Sequence, residues 1–146
     1  LIVLSGFVSG CSDDDSQDII EDQTVINILE EDWLLTSILV ENESTSLTEN
    51  DYPKEMSYVL RFTDDTNFDF DTSVNAARGT YMVDGDSIDF TGYQELTEIA
   101  PVDSKLVRVD EILVMEVNNI TRYSINNEEL ILYWERGQLV FKKYDL

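Results

Sequence analysis

The chain has 146 residues, a length that fits one domain able to bury about two thirds of its unfolded surface. Its 31 acids against 9 bases leave a formal charge of −22, a field that repels phosphate backbones and anionic headgroups and excludes nucleic acid as a partner. One cysteine and no histidine exclude an intrachain disulfide, zinc sites of the usual His/Cys type, and Ser-His-Asp or Cys-His catalysis. An apolar share of 42% nevertheless places the chain among folded globular proteins rather than disordered acidic tails. A carboxylate-dependent hydrolase would need two acids converging in a cleft about 5 to 10 Å apart. With so many acids no single pair stands out, and the expectation is a protein without catalytic residues.

Leu1 to Val8 are almost entirely apolar, and Ser9, Gly10 and Cys11 lead into the polar Ser12-Asp13-Asp14-Asp15-Ser16. The run is too short to cross a bilayer and has the length of a signal-peptide hydrophobic region, so the chain is expected to begin inside the signal. Val8-Ser9-Gly10-Cys11 resembles a bacterial lipobox, which implies that the Cys11 sulfur carries a diacylglycerol and that the mature protein begins there. Such an anchor, with its additional acyl chain, holds far more firmly than one chain alone, and no other cofactor is expected. Ser12, Asp13, Asp14 and Asp15 resemble the acidic export signal of surface lipoproteins in the Bacteroidota. That resemblance implies an outer-membrane protein facing the cell exterior, with the membrane and a surface protein complex as its expected partners. The organisation is then a signal remnant over residues 1–10, a lipidated acidic tether over 11–22 and a single domain over 23–146.

Within the domain, Val25, Ile26 and Leu29 fall at helical spacing between Asp22 and Glu31 and predict one or two turns of helix. Trp33 to Val40 is rich in β-formers and reads as a buried strand with Trp33 plugging one end, followed by a polar loop from Glu41 to Asn50. Tyr58, Leu60 and Phe62 alternate with polar residues, and the alternation resumes at Phe68 and Phe70, predicting a hairpin with one wet face. A second hairpin joins Gly79–Val83 to Ser87–Phe90 through Asp84-Gly85, a type I′ turn signal. Thr91 to Val102 has no period and reads as loop. Val109, Ile112, Leu113 and Val117 then predict a helix capped by Asp103 or Ser104, although its β-branched content would also suit a strand. Ile120–Ile125, Glu129–Trp134 and Gln138–Lys143 predict three antiparallel strands. The total is a mainly all-β fold: an antiparallel eight-stranded lipocalin-like barrel, or a curved half-barrel closed by one short helix inserted before the last three strands.

Trp33-Leu34-Leu35-Thr36-Ser37 and Gly79 to Phe90 resemble the META domain family of bacterial heat-shock lipoproteins, and Tyr123-Ser124-Ile125 ahead of Leu130-Ile131-Leu132 keeps the order of its landmarks. The resemblance runs from Trp33 to Phe141. It implies a lipocalin-type barrel and a part in stress tolerance, antibiotic resistance and virulence, without an established catalytic set. Val74-Asn75 stands where that family has a Cys-Asn pair, so any role of the cysteine does not carry over, and Leu96-Thr97-Glu98 stands at its threonine loop. The lipocalin-like lipoproteins of the Bacteroidota are similar at both ends and imply the same barrel.

Trp33, Tyr81, Tyr93, Tyr123, Tyr133 and Trp134 are candidates to line a ligand cavity at a barrel mouth, and they are equally what a filled core would use. The oxygen-bearing residues from Asp65 to Asp71 superficially resemble a calcium loop. Phe70 occupies the position of the obligatory glycine and Ala76 that of the bidentate glutamate, so no metal site is expected. Arg61, Arg78, Arg108, Arg122 and Arg136 are expected to form surface ion pairs. The expected function is that of a non-enzymatic surface module working through protein contacts, with an apolar or glycan ligand held in the barrel mouth as the alternative.

Overall fold

The computed structural model describes residues 28–126 and 128–145. Cys11, Ser12, Asp13, Asp14 and Asp15 lie outside them, as does most of the expected first helix, of which residues 28–30 are helical. In chain order the elements are β1 (Trp33–Val40), β2 (Glu43–Ser46), β3 (Val59–Phe62), β4 (Asn67–Phe70), β5 (Ala77–Asp84), β6 (Ser87–Glu95), α1 (Ser104–Glu116), β7 (Arg122–Asn126), β8 (Glu129–Trp134) and β9 (Gly137–Lys143).

The strands form one antiparallel sheet in the order β2-β1-β3-β4-β5-β6-β7-β8-β9, and β9 returns to pair with β1. Eight strands therefore close a ring, which removes the exposed edges that an open sheet would leave. The ninth, β2, hangs outside it. It arises where a polar loop was expected, and its sequence Glu43-Ser44-Thr45-Ser46 gives no alternation to signal a strand. The reason is tertiary: β3 pairs only with Trp33 and Leu34 of β1, so the same edge from Ser37 to Val40 still needs partners for its backbone groups, and β2 folds back to supply them.

Two further departures concern the second hairpin. The register Asp84 opposite Ser87 makes Gly85-Asp86 the two-residue loop, with positive φ (59°) at Gly85 alone among the two. A type I′ turn needs positive φ at both central residues and is excluded. Strand β6 also continues to Glu95 through residues expected to be loop. Between the pairs Thr80–Thr91 and Arg78–Gln94 it carries one extra residue, and Gly92 at φ 63° absorbs the bulge. An alternating pattern cannot survive such an insertion, which is why the sequence looks aperiodic there.

The ring interior is packed by side chains. Phe68 meets Phe90 edge-on at 4.7 Å between centroids, Tyr93 stacks on Phe68 at 6.0 Å, and Phe70 meets Phe141 at 5.5 Å, so rings from β4, β6 and β9 interlock across the core. The closure is irregular between β6 and β7, which share the single register pair Ser87–Arg122. Beyond that pair, α1 and the turn Val117–Asn119 cover β6, and the Tyr93 amide donates to Asn118 Oδ1 at 2.9 Å in place of a strand partner. Helix α1 starts at Asp103, whose carboxylate accepts from the Lys105 and Leu106 amides, and buries Leu106, Val109, Ile112 and Leu113.

Candidate functional site

Of the six exposed large apolar residues among those described, Leu96, Ile99, Val102, Val114 and Met115 lie on the 96–102 loop or on α1; only Met82 is elsewhere. Between loop and helix runs a groove of 460 Å³ walled by Ile99, Pro101, Val107, Val114 and Met115, with Glu95, Asp110, Glu111 and Asn75 completing the lining. Monomeric surfaces seldom gather apolar residues in this way without a binding role.

Local chemistry sets the shape of the groove. Helix α1 turns its Leu106–Val109–Leu113 stripe to the sheet, which leaves Val107, Val114 and Met115 on the groove side. The loop is held against β6 by Asn75, which is 3% exposed and uses both ends of its amide. Its Nδ2 donates to Ile99 O at 2.8 Å and Glu95 Oε1 at 3.1 Å; its Oδ1 accepts from the Ile99 amide at 2.8 Å and Thr97 Oγ1 at 2.7 Å.

At the floor, Asp110 is 6% exposed. Its Oδ1 accepts from the Tyr58 hydroxyl at 2.7 Å and the Ser73 amide at 3.0 Å, and its Oδ2 from the Ser73 hydroxyl. Burial, with the Asp110 carboxylate as the next cause, pushes the Tyr58 phenol well above the ordinary tyrosine range. Tyr58 reaches this position with a backbone φ of 62°, a left-handed conformation that bulky residues seldom adopt and that the surrounding hydrogen bonds must hold in place. Glu95 Oε1 also accepts from Thr72 Oγ1 at 2.8 Å. Among the described residues, no ion pair involves Glu95, Asp110 or Glu111; the helix's own cations pair elsewhere, Lys105 with Asp51 at 2.8 Å and Arg108 with Glu43 at 2.6 Å.

Of the six aromatic residues expected to line a cavity, all but the half-buried Tyr133 are buried, and the five do not gather at one mouth. Trp33 lies opposite Lys143 and Trp134 opposite Gly137, at the two ends of the ladder that β9 forms with β1 and β8. Trp33 Nε1 donates to Ile28 O at 2.9 Å, Tyr81 to Asp64 O at 2.8 Å, Tyr93 to Phe70 O at 2.8 Å and Tyr123 to Gly85 O at 2.7 Å. Trp134 lines a cleft of 650 Å³ with Tyr133, Arg122 and Arg136, and its buried Nε1 has no hydrogen-bond partner among the described residues. Of the arginines expected in ion pairs, Arg108 and Arg136 form them, whereas Arg122 stacks over the Tyr133 ring at 5.6 Å.

Sequence reasoning did not single out Glu95, Asp110 or Glu111. One signal was available: Asp110 interrupts the apolar stripe of α1 beside Val109, where an acid is out of place unless something receives it.

These features define a small antiparallel β ring sealed by one helix, with an apolar groove carrying acids on the outside of that helix. No family model matches the sequence, and no curated protein does. Among solved structures, the chain is similar to a protein from Burkholderia xenovorans determined by NMR, with a TM-score of 0.67 at 12% identity over 99% of this chain and 100% of that one. It is also similar to a DUF4847 family protein from Bacteroides vulgatus ATCC 8482, with a TM-score of 0.53 at 16% identity over 83% of this chain and 99% of that one. At these identities the likeness is one of fold.

Proposed function

We propose that this chain is the folded module of a lipid-anchored surface lipoprotein and that it acts without catalysis, by holding a partner protein against the groove between the 96–102 loop and α1. The observation that carries this reading is the concentration of five of six exposed large apolar residues on those two segments. Anchoring rests on Val8-Ser9-Gly10-Cys11, and the outward orientation on Ser12-Asp13-Asp14-Asp15. A part in the envelope stress response is what the META resemblance of Trp33–Ser37 and Gly79–Phe90 implies. Two of the groove's acids also serve the fold: Asp110 and Glu95 accept hydrogen bonds from Tyr58, Ser73, Thr72 and Asn75.

The test combines intact mass, protease shaving and crosslinking in whole cells. A diacylated mass that disappears in Cys11→Ala, and a domain removed by shaving, are expected. A photo-crosslinker at Met115 is expected to trap one discrete polypeptide whose purified form binds the wild-type chain and not Val114→Glu, while the same crosslinker at Met82 traps none. An unlipidated species, or equal trapping from both methionines, would overturn the reading.

A second reading, a small-ligand module, is favoured by one observation: Trp134, which lines the 650 Å³ cleft, has a buried Nε1 without a hydrogen-bond partner among the described residues. A soluble ligand that shifts the Trp134 indole resonance and leaves Met115 unmoved would select it.

A further inference from the structure

The groove described above is apolar along its walls and anionic at its base, and this combination defines the partner's chemistry. Glu95, Asp110 and Glu111 line it and form no ion pair among the described residues, while Lys105 and Arg108 of α1 pair with Asp51 and Glu43. Lysine and arginine side chains lay their methylene stems along apolar surface while their heads meet an acid, which matches walls of Ile99, Val107, Val114 and Met115 above acidic groups. The formal charge of −22 on the chain steers cations toward every face, and this groove is where they meet a concentration of exposed apolar side chains. At 460 Å³ the groove lies within the range of about 300 to 1,000 Å³ typical of ligand clefts, enough for more than one side chain of a docked segment.

We infer that the groove docks a basic amphipathic segment of a partner protein, with a lysine or arginine side chain entering toward Glu95 and Glu111 and its apolar neighbours covering Val114 and Met115. This rests on the contact reading above and adds the sign of the partner's charge. An anionic membrane is disfavoured by the same acids.

The test is a titration of the full chain, with labelled valine and methionine methyls, against three synthetic peptides of equal length that alternate leucine with lysine, glutamine or glutamate. The leucine–lysine peptide is expected to shift the Val107, Val114 and Met115 methyls, to weaken as salt is raised, and to lose about tenfold in affinity in Glu95→Gln/Glu111→Gln. The Glu95→Gln change keeps the Oε1 acceptor that Thr72 and Asn75 use, and Glu111 is exposed, so the doubly substituted chain should fold. If the leucine–glutamine peptide shifts the same methyls with equal affinity, the groove remains a contact surface and the basic partner is overturned. If the leucine–glutamate peptide or anionic vesicles bind there, the charge assignment is overturned. If all three peptides leave these methyls unmoved, the basic segment is overturned, while the contact reading is judged separately by the Met115 crosslink.

Discussion

The Tyr58 hydroxyl donates to Asp110 Oδ1 at 2.7 Å, joining the segment that enters β3 to the middle of α1. Both residues are buried, and Ser73 completes the carboxylate's hydrogen bonds from a third segment. Tyr58→Phe leaves that carboxylate short of a donor and should lower the unfolding free energy by about 1.5 to 3 kcal/mol, the range for hydrogen bonds to charged groups. Urea unfolding of the two proteins would measure it, and equal midpoints would remove Tyr58–Asp110 from the forces that dock the helix.

Asn75→Asp should release the 96–102 loop with little change to the ring. The aspartate cannot donate to Ile99 O or Glu95 Oε1, and it places a second carboxylate beside Glu95. Amide hydrogen exchange at Ile99 should accelerate at least about tenfold if about 1.4 kcal/mol of loop docking is lost. Unchanged protection would mean that the loop is held by its apolar side chains instead.

Gly137→Ala should destabilise the closure of the ring. A Cβ built on Gly137 would stand 2.1 Å from Leu39 O and 2.6 Å from Trp134 Cζ2, so the β9 backbone or the indole must move. Overpacking of this kind costs about 1 to 3 kcal/mol and is expected to lower the thermal midpoint. It should also perturb Trp134 fluorescence, and a substitution that left both unchanged would contradict the close approach.

Stability should fall on the alkaline side, and the sign follows from the tyrosines. Burial disfavours the phenolate of Tyr58 and Tyr93, pushing both above the ordinary 10.0, and raises Tyr52 to about 12. A raised folded-state value means that the unfolded chain sheds protons first as the pH climbs. The tyrosine contribution is therefore complete below pH 10 and is lost as the pH rises from 10 toward 12. Phenolate absorbance followed together with circular dichroism should show Tyr58 and Tyr93 ionising only as the fold opens, and their ionisation in a folded protein would contradict their burial.

Much of the ring was legible because its strands obey a simple rule. Phe62, Phe68, Tyr81, Ile88, Leu130 and Phe141 alternate with more exposed neighbours, and each is buried in the structure. The pattern fails where neighbours, rather than side chains, decide the backbone. Glu43 to Ser46 has no apolar residue, and Gly92 breaks the alternation by inserting a bulge. The groove was less legible still. Glu95, Asn75 and Asp110 come from β6, the turn before β5 and α1, and nothing in their spacing brings them together.

By itself the sequence determined a mainly β fold with one helix before the last three strands, because hydrophobic period, turn residues and an N-cap are local properties of the chain. Only the tertiary structure decided that the ring closes between β1 and β9, that Trp33 and Trp134 lie against opposite ends of β9, and that Val114 and Met115 of α1 are exposed. Those facts depend on which backbone edges and apolar faces find partners across long separations in the chain. Charge and periodicity read along a sequence carry no record of that pairing.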